Sequence, residues 1–191
     1  MPKLWNETVS AHRRAVRDAL MDSTAELVAE HGLAAVTMTQ IAETTGIGRA
    51  TLYKYFPDVE SILTAWHERR IGNHLEQLVA IASRAGSVRQ RLEKVLDAYA
   101  MIDHTHHGGE VAAALHQGAH AVHAQRHVQA LLRDLLAEAA TAGHVRADVP
   151  AEELAQYCVS ALSASNMLRS KAAVRRLVAV TVAGLRVPGA E

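Results

Sequence analysis

The chain has 191 residues, of which 49% are hydrophobic and 21% charged, enough for one large or two small domains with a real core; that composition excludes disorder, a collagen repeat and a disulfide scaffold. Twenty Lys and Arg offset twenty Asp and Glu, so any nucleic-acid binding must come from local placement of cations and not from a bulk field. Cys158 is the single cysteine, which excludes an intrachain disulfide or a Cys-x-x-Cys motif and fits a reducing cytoplasm. No apolar run approaches the ~18 residues a bilayer demands. The stretch to Arg17 mixes Lys3, Glu7, His12, Arg13 and Arg14 with no apolar segment after a basic start, so no signal peptide is expected. Alanine is abundant and the four prolines stand far apart, a pattern that predicts an all-α fold of about nine helices.

In chain order, Val9, Val16, Leu20, Leu27 and Val28 recur at helical spacing between Thr8 and His31, with Gly32 placed to end the helix in a left-handed cap. Two short helices follow, Thr39 to Thr45 and Arg49 to Phe56, with Gly46 as the turn between them, and Pro57 closes the pair. Asp58 is a candidate N-cap for a long helix carrying Ile62, Leu63, Trp66, Leu75, Leu78 and Ala82 on one stripe towards Gly86. Val88 to Ile102 gives another amphipathic helix, ending at the loop His104 to Gly109. A short helix from Glu110 to about His116, a longer one to about Ala142, and two very apolar helices from Ala151 to about Leu168 and from Lys171 complete the chain. The last helix is apolar over most of its circumference, with Val180 and Val187 widening the arc, so it requires partners on two sides. A second subunit is the expected partner, because closed two-fold dimers are the commonest oligomers.

In the segment Val36 to Pro57, Ile41, Ala42, Ile47 and Leu52 are spaced to pack the two short helices onto the first. Arg49, Ala50, Thr51, Tyr53, Lys54 and Tyr55 are left facing outward, a polar, basic and aromatic surface suited to phosphates and base edges. The signature Ile41-Ala42, Gly46-Ile47, Thr51-Leu52-Tyr53, Tyr55-Phe56-Pro57 resembles the DNA-binding domain of the TetR family of bacterial transcriptional regulators. The resemblance covers the first ~57 residues; the remaining ~134 match in helix count and length but hardly in motif. It implies a helix-turn-helix domain over 1–57 and a helical ligand-binding and dimerisation domain over 58–191. The expected function is then a ligand-responsive repressor that binds a palindromic operator as a homodimer through residues 151–187, in the bacterial cytoplasm with the nucleoid. By position, the resemblance places Arg49, Ala50, Thr51, Tyr53, Lys54 and Tyr55 against operator DNA and Thr37 near phosphate. Val59 stands where the family usually carries a phosphate-binding lysine, and Gly48 replaces the usual serine cap. Lys3, Arg13, Arg14 and Arg17 at the start of the first helix are the expected compensation for that missing cation, in a segment (1–57) with six basic and six acidic residues.

Seven of the twelve histidines lie between His104 and His127. His116, His120, His123 and His127, spaced by four, three and four, form one stripe on a continuous helix, and imidazoles one turn apart can share a Zn²⁺, Ni²⁺ or Cu²⁺ ion. Three readings stand open for the stripe: a solvated polar face, part of a pocket for an organic ligand, or the metal site of a metal-responsive regulator or His-rich metal-binding protein. For an unknown small-molecule effector, Trp66, Tyr99, His120, His123 and Tyr157 are the candidate contacts, with Leu78 and Ile102 beside them, in a cavity walled mainly by aliphatic side chains. No cofactor, membrane partner or catalytic residue is expected. The chain lacks a di-iron Glu-x-x-His pair, a His-Glu-x-x-His, a Gly-x-Ser-x-Gly and a phosphate-binding glycine loop. Cys158, mid-helix on an apolar face, reads as a small buried hydrophobe and not as a nucleophile.

Overall fold

The computed structural model describes residues 3–106 and 119–187, with side chains at positions 9–105 and 122–187. Among the described residues there are eight α-helices and no strand. They are α1 (Lys3–His31), α2 (Met38–Thr45), α3 (Arg49–Tyr55), α4 (Val59–Ala82), α5 (Val88–His106), α6 (Ala119–Thr141), α7 (Ala151–Leu162) and α8 (Lys171–Gly184). The short helix expected from Glu110 to His116 lies outside the described residues. No helix among them is long and apolar enough to cross a membrane.

Three boundaries differ from expectation. Helix α5 continues to His106 through the start of the expected loop, since no glycine or proline stands before Gly108 to break it. Helix α1 begins at Lys3 and not near Thr8, so Lys3 belongs to the helix and is not part of an extended arm. The opening Lys3 to Glu7 has its apolar residues, Leu4 and Trp5, side by side and not at helical spacing, so periodicity gives no sign of the helix there. Helix α7 ends at Leu162, not near Leu168, and continues as a 3₁₀ turn over Ser163–Met167. Serine and asparagine crowd that stretch, and their side chains compete for backbone groups that an α-helix would use.

By internal packing the chain divides into two units, Met1–Arg70 and Ile71–Glu191, and the division falls inside α4. In the N-terminal unit, α1 packs on α2 and α2 on α3, around Leu20, Met21, Val28, Ile41, Leu52, Phe56 and Ile62. Arg69 joins α4 to α1 by donating to Asp18 (2.8 Å) and to Asp22, carboxylates one helical turn apart on α1. At the head of α4, Asp58 accepts from the Ser61 backbone N–H at 2.7 Å, the cap predicted for it.

The C-terminal unit is organised on α5, which packs against α6, α7 and α8. Its core is aliphatic: Val95, Leu96, Ala100, Leu132, Leu136, Ala139, Leu162 and Val174 have no measurable exposure. Arg91 ties α5 to the end of α4 through the Ala82 carbonyl (3.1 Å) and to Glu138 of α6. Near the C-terminal end of α5, Asp103 accepts from the buried Ser165 hydroxyl at 2.9 Å and His104 Nδ1 lies 3.0 Å from the Ser165 carbonyl. That places two polar side chains of α5 on the 3₁₀ turn, where they satisfy groups that would otherwise be buried without partners.

Two titratable groups of this unit are shifted by burial. Cys158, fully buried, has its thiol pushed up to about 12 by desolvation. Tyr99 is likewise raised to about 12, first by desolvation and then by the neighbouring charge of Asp103. Both folded-state values lie above the ordinary ones, so the unfolded chain ionises first as the solution becomes alkaline. Their contribution to stability is whole below about pH 9, the usual thiol range, and is lost as pH rises towards 12. We expect denaturant midpoints that fall above pH 9, and a flatter fall in Tyr99→Phe/Cys158→Ser. An equal fall in that variant would mean other groups govern the alkaline limb.

Candidate DNA interface

The helix-turn-helix is built by caps as much as by core. Thr37 is the N-cap of α2, where its hydroxyl accepts from the Gln40 N–H (3.3 Å) while the Gln40 side chain accepts from the Thr37 N–H (2.9 Å). This reciprocal capping box satisfies two donors that a helix start leaves open. Sequence inspection placed Thr37 at this helix start but missed Gln40, although Thr-x-x-Gln is a readable signal for such a box. At the far end, Gly46 closes α2 with φ 67°, a left-handed conformation that costs glycine nothing and other residues more. The chain therefore turns sharply, and α3 begins three residues later with Gly48 as an N-cap that has no side-chain bond.

Helix α3 splits cleanly into two faces. Leu52 is fully buried and Phe56, just past its end, is 3% exposed. Arg49, Ala50, Thr51, Tyr53 and Lys54 are exposed, and Tyr55 is half-buried. Tyr53 alone leaves 48% of its surface open, an unusual amount for a large ring in a small unit with few aromatics. Six of the seven sequence candidates for DNA contact thus sit on one short helix, and Thr37 stands exposed at the head of the helix that α3 packs against.

The arginines of α1 enter this surface in a way the sequence left unspecified. The guanidinium of Arg13 lies 5.9 Å from the Tyr55 ring centroid, and that of Arg17 lies 4.7 Å from the Phe56 ring. These are cation–π distances. Both contacts orient α1 cations along the end of α3, so positive charge collects there in a domain whose net charge is zero. Arg14 is exposed on the same helix. The Lys3 side chain is outside the described residues, and Val59, in the position of the family's usual lysine, supplies no charge.

The effector candidates are scattered. Trp66 belongs to the N-terminal unit, half-buried, with the Arg70 guanidinium 4.3 Å from its ring centroid. Tyr99 is half-buried against the C-terminal core. Tyr157 is exposed and lies over Gly184 of α8, where a side chain's first carbon would come within 3.0 Å of its hydroxyl. His123 is exposed on α6, while the side chain of His120 and all of His116 lie outside the described residues. A groove of about 300 Å³ in the C-terminal unit is lined instead by Arg89, Leu92, His144, Val145, Leu185 and Arg186. Among the described residues no group of three or more His, Cys, Asp or Glu converges as metal ligands.

Comparison with known proteins places both units. Residues 20–65 match the sequence pattern of bacterial regulatory proteins of the tetR family, and residues 98–187 match the C-terminal domain of SbtR-like transcriptional regulators. The chain is 31% identical over 96 residues to the HTH-type transcriptional regulator BetI of Rhizobium meliloti, covering 50% of this chain and 44% of that protein. The chain spans less than half the length of the curated relatives it matches. A TetR/AcrR-family regulator from Thermobifida fusca superposes with a TM-score of 0.77 at 20% identity, over 89% of this chain and 98% of that one. The regulator FadR of Bacillus subtilis, solved in complex with stearoyl-CoA, superposes with a TM-score of 0.64 at 16% identity, over 88% and 98% of the two chains.

Proposed function

Since the chain belongs to the TetR family of bacterial transcriptional regulators, we propose that it is a repressor that binds operator DNA as a homodimer and is released by a small-molecule effector. The observation that carries this reading is the division of α3, with Leu52 held at zero exposure while Arg49, Thr51, Tyr53 and Lys54 face solvent. A structural helix of a small unit gains nothing from an outward basic and aromatic face; a helix that enters a major groove needs one. Thr37 and the α1 arginines supply phosphate contacts at its edge. The site of action is then the bacterial cytoplasm, with the chromosome.

Two copies are required for a palindromic site, and α7 and α8 supply the surface. On α8 Val180 is 66% exposed, and Met167, in the 3₁₀ turn between α7 and α8, is 83% exposed, large apolar side chains out of place against water. The effector is assigned to the C-terminal unit, whose buried core is aliphatic and so suits a molecule with a large apolar part. Helix α4 carries its first residues in one unit and its last in the other, so a shift of its C-terminal half on ligand binding is the proposed route to the DNA-binding half. An effector that prefers the shifted form lowers DNA affinity by its differential affinity for the two states. BetI and FadR are regulators by name, and the stearoyl-CoA held by the latter supports an apolar effector for this chain.

The experiment on the dimer is Val180→Glu, measured by light scattering and by DNA titration. We expect a monomer with unchanged helix content and an affinity for a two-fold site lower by at least about a hundredfold, as expected when one linked half of a bivalent contact is lost. A dimer that survives the charge would move the interface away from α8.

A further inference from the structure

We propose that His123 and His127 form a two-imidazole binding site for a late first-row divalent metal, copper(II) foremost, on the exposed face of α6. The two residues are one turn apart, and their ring centroids are 4.2 Å apart with the planes tilted by 58°. Residues at this spacing point from one helical face, and both are exposed, so the second ligand is in place when the first has bound.

The donors also speak to the kind of ion. An imidazole nitrogen binds a metal at about 2.0–2.1 Å, and two rings 4.2 Å apart on adjacent turns can share one ion by side-chain rotation. Tetragonal nitrogen and oxygen sites are those of Cu(II) and Ni(II), and among divalent first-row ions copper binds such donors most tightly. Among the described residues no third His, Cys, Asp or Glu joins the pair, so two imidazoles are the ligands assigned here.

This site neither uses nor requires the DNA-facing helix, so its test is separate from that of the regulator. The 191-residue chain is titrated with copper(II) in competition with a chromophoric chelator, and the copper spectrum is recorded by electron paramagnetic resonance. The expected result is one tight copper per chain, with nickel and zinc weaker. His123→Ala and His127→Ala should each weaken it about tenfold or more, since each removes the intramolecular advantage of the second ligand, and the two-nitrogen signature should fall to one. His144→Ala, an exposed histidine elsewhere in the same unit, should change neither reading. Copper affinity and spectrum unaltered in both the His123 and His127 variants would overturn the proposal, as would an equal loss in His144→Ala.

Discussion

Replacing Lys54 and Tyr55 together by alanine is expected to lower operator affinity by at least about a hundredfold while leaving helix content and dimerisation intact. Each base-edge or phosphate contact at such a surface is worth about 1–3 kcal/mol, and in a dimer both substitutions are counted twice. Lys54 is exposed and Tyr55 half-buried, so the folded state loses little more than the Arg13 contact with the Tyr55 ring. An exposed substitution such as Lys54→Ala normally stays within about 0.5 kcal/mol in stability. Fluorescence anisotropy on the preferred duplex, with circular dichroism on the same samples, separates lost contacts from lost structure. Affinity equal to that of the unaltered chain would remove α3 as the reading helix.

The opposite face of the same helix should behave in the opposite manner. Leu52→Ala is expected to cost about 2–5 kcal/mol, the range for a buried leucine truncated in a packed core. Leu52 has no exposed surface, and with the buried Ile41, Phe56 and Leu20 it belongs to a unit of only 70 residues. A domain of that size shifts its melting temperature by roughly 4–8 °C per kcal/mol, so the N-terminal transition should fall by on the order of 10 °C or more. DNA binding then fails at moderate temperature through unfolding, and Leu52→Met, which conserves volume at a cost under about 1.5 kcal/mol, should restore most of it. A thermal melt that leaves Leu52→Ala within a degree or two of the parent would contradict the burial that defines the two faces.

Helix-turn-helix chemistry is written in local signals, which is why this part of the molecule was legible in advance. Gly46, the Asp58 cap and the Ile41–Leu52 spacing each have a short-range cause, and each stands as expected in the structure. The Arg13–Tyr55 and Arg17–Phe56 contacts, and the clasp of Arg69 on Asp18 and Asp22, join residues far apart in sequence. Periodicity places each of those residues on a face of its own helix but says nothing of which side chains meet across helices. The effector candidates show the same limit: Tyr99 packs on the core and Tyr157 covers Gly184, contacts between helices that periodicity does not specify. The polar run Ser163 to Asn166 looked helical because its flanks are apolar, while its own side chains favour the 3₁₀ turn that is observed.

Selection from a randomised duplex library with the purified chain shows whether α3 reads DNA. Enrichment of an inverted repeat whose half-site centres lie about one helical turn, ~10 base pairs, apart is expected, with Lys54→Ala/Tyr55→Ala unable to enrich it. Recovery of no preferred sequence, or recovery of the same repeat by the double variant, would contradict the assignment of α3 as the element that reads DNA.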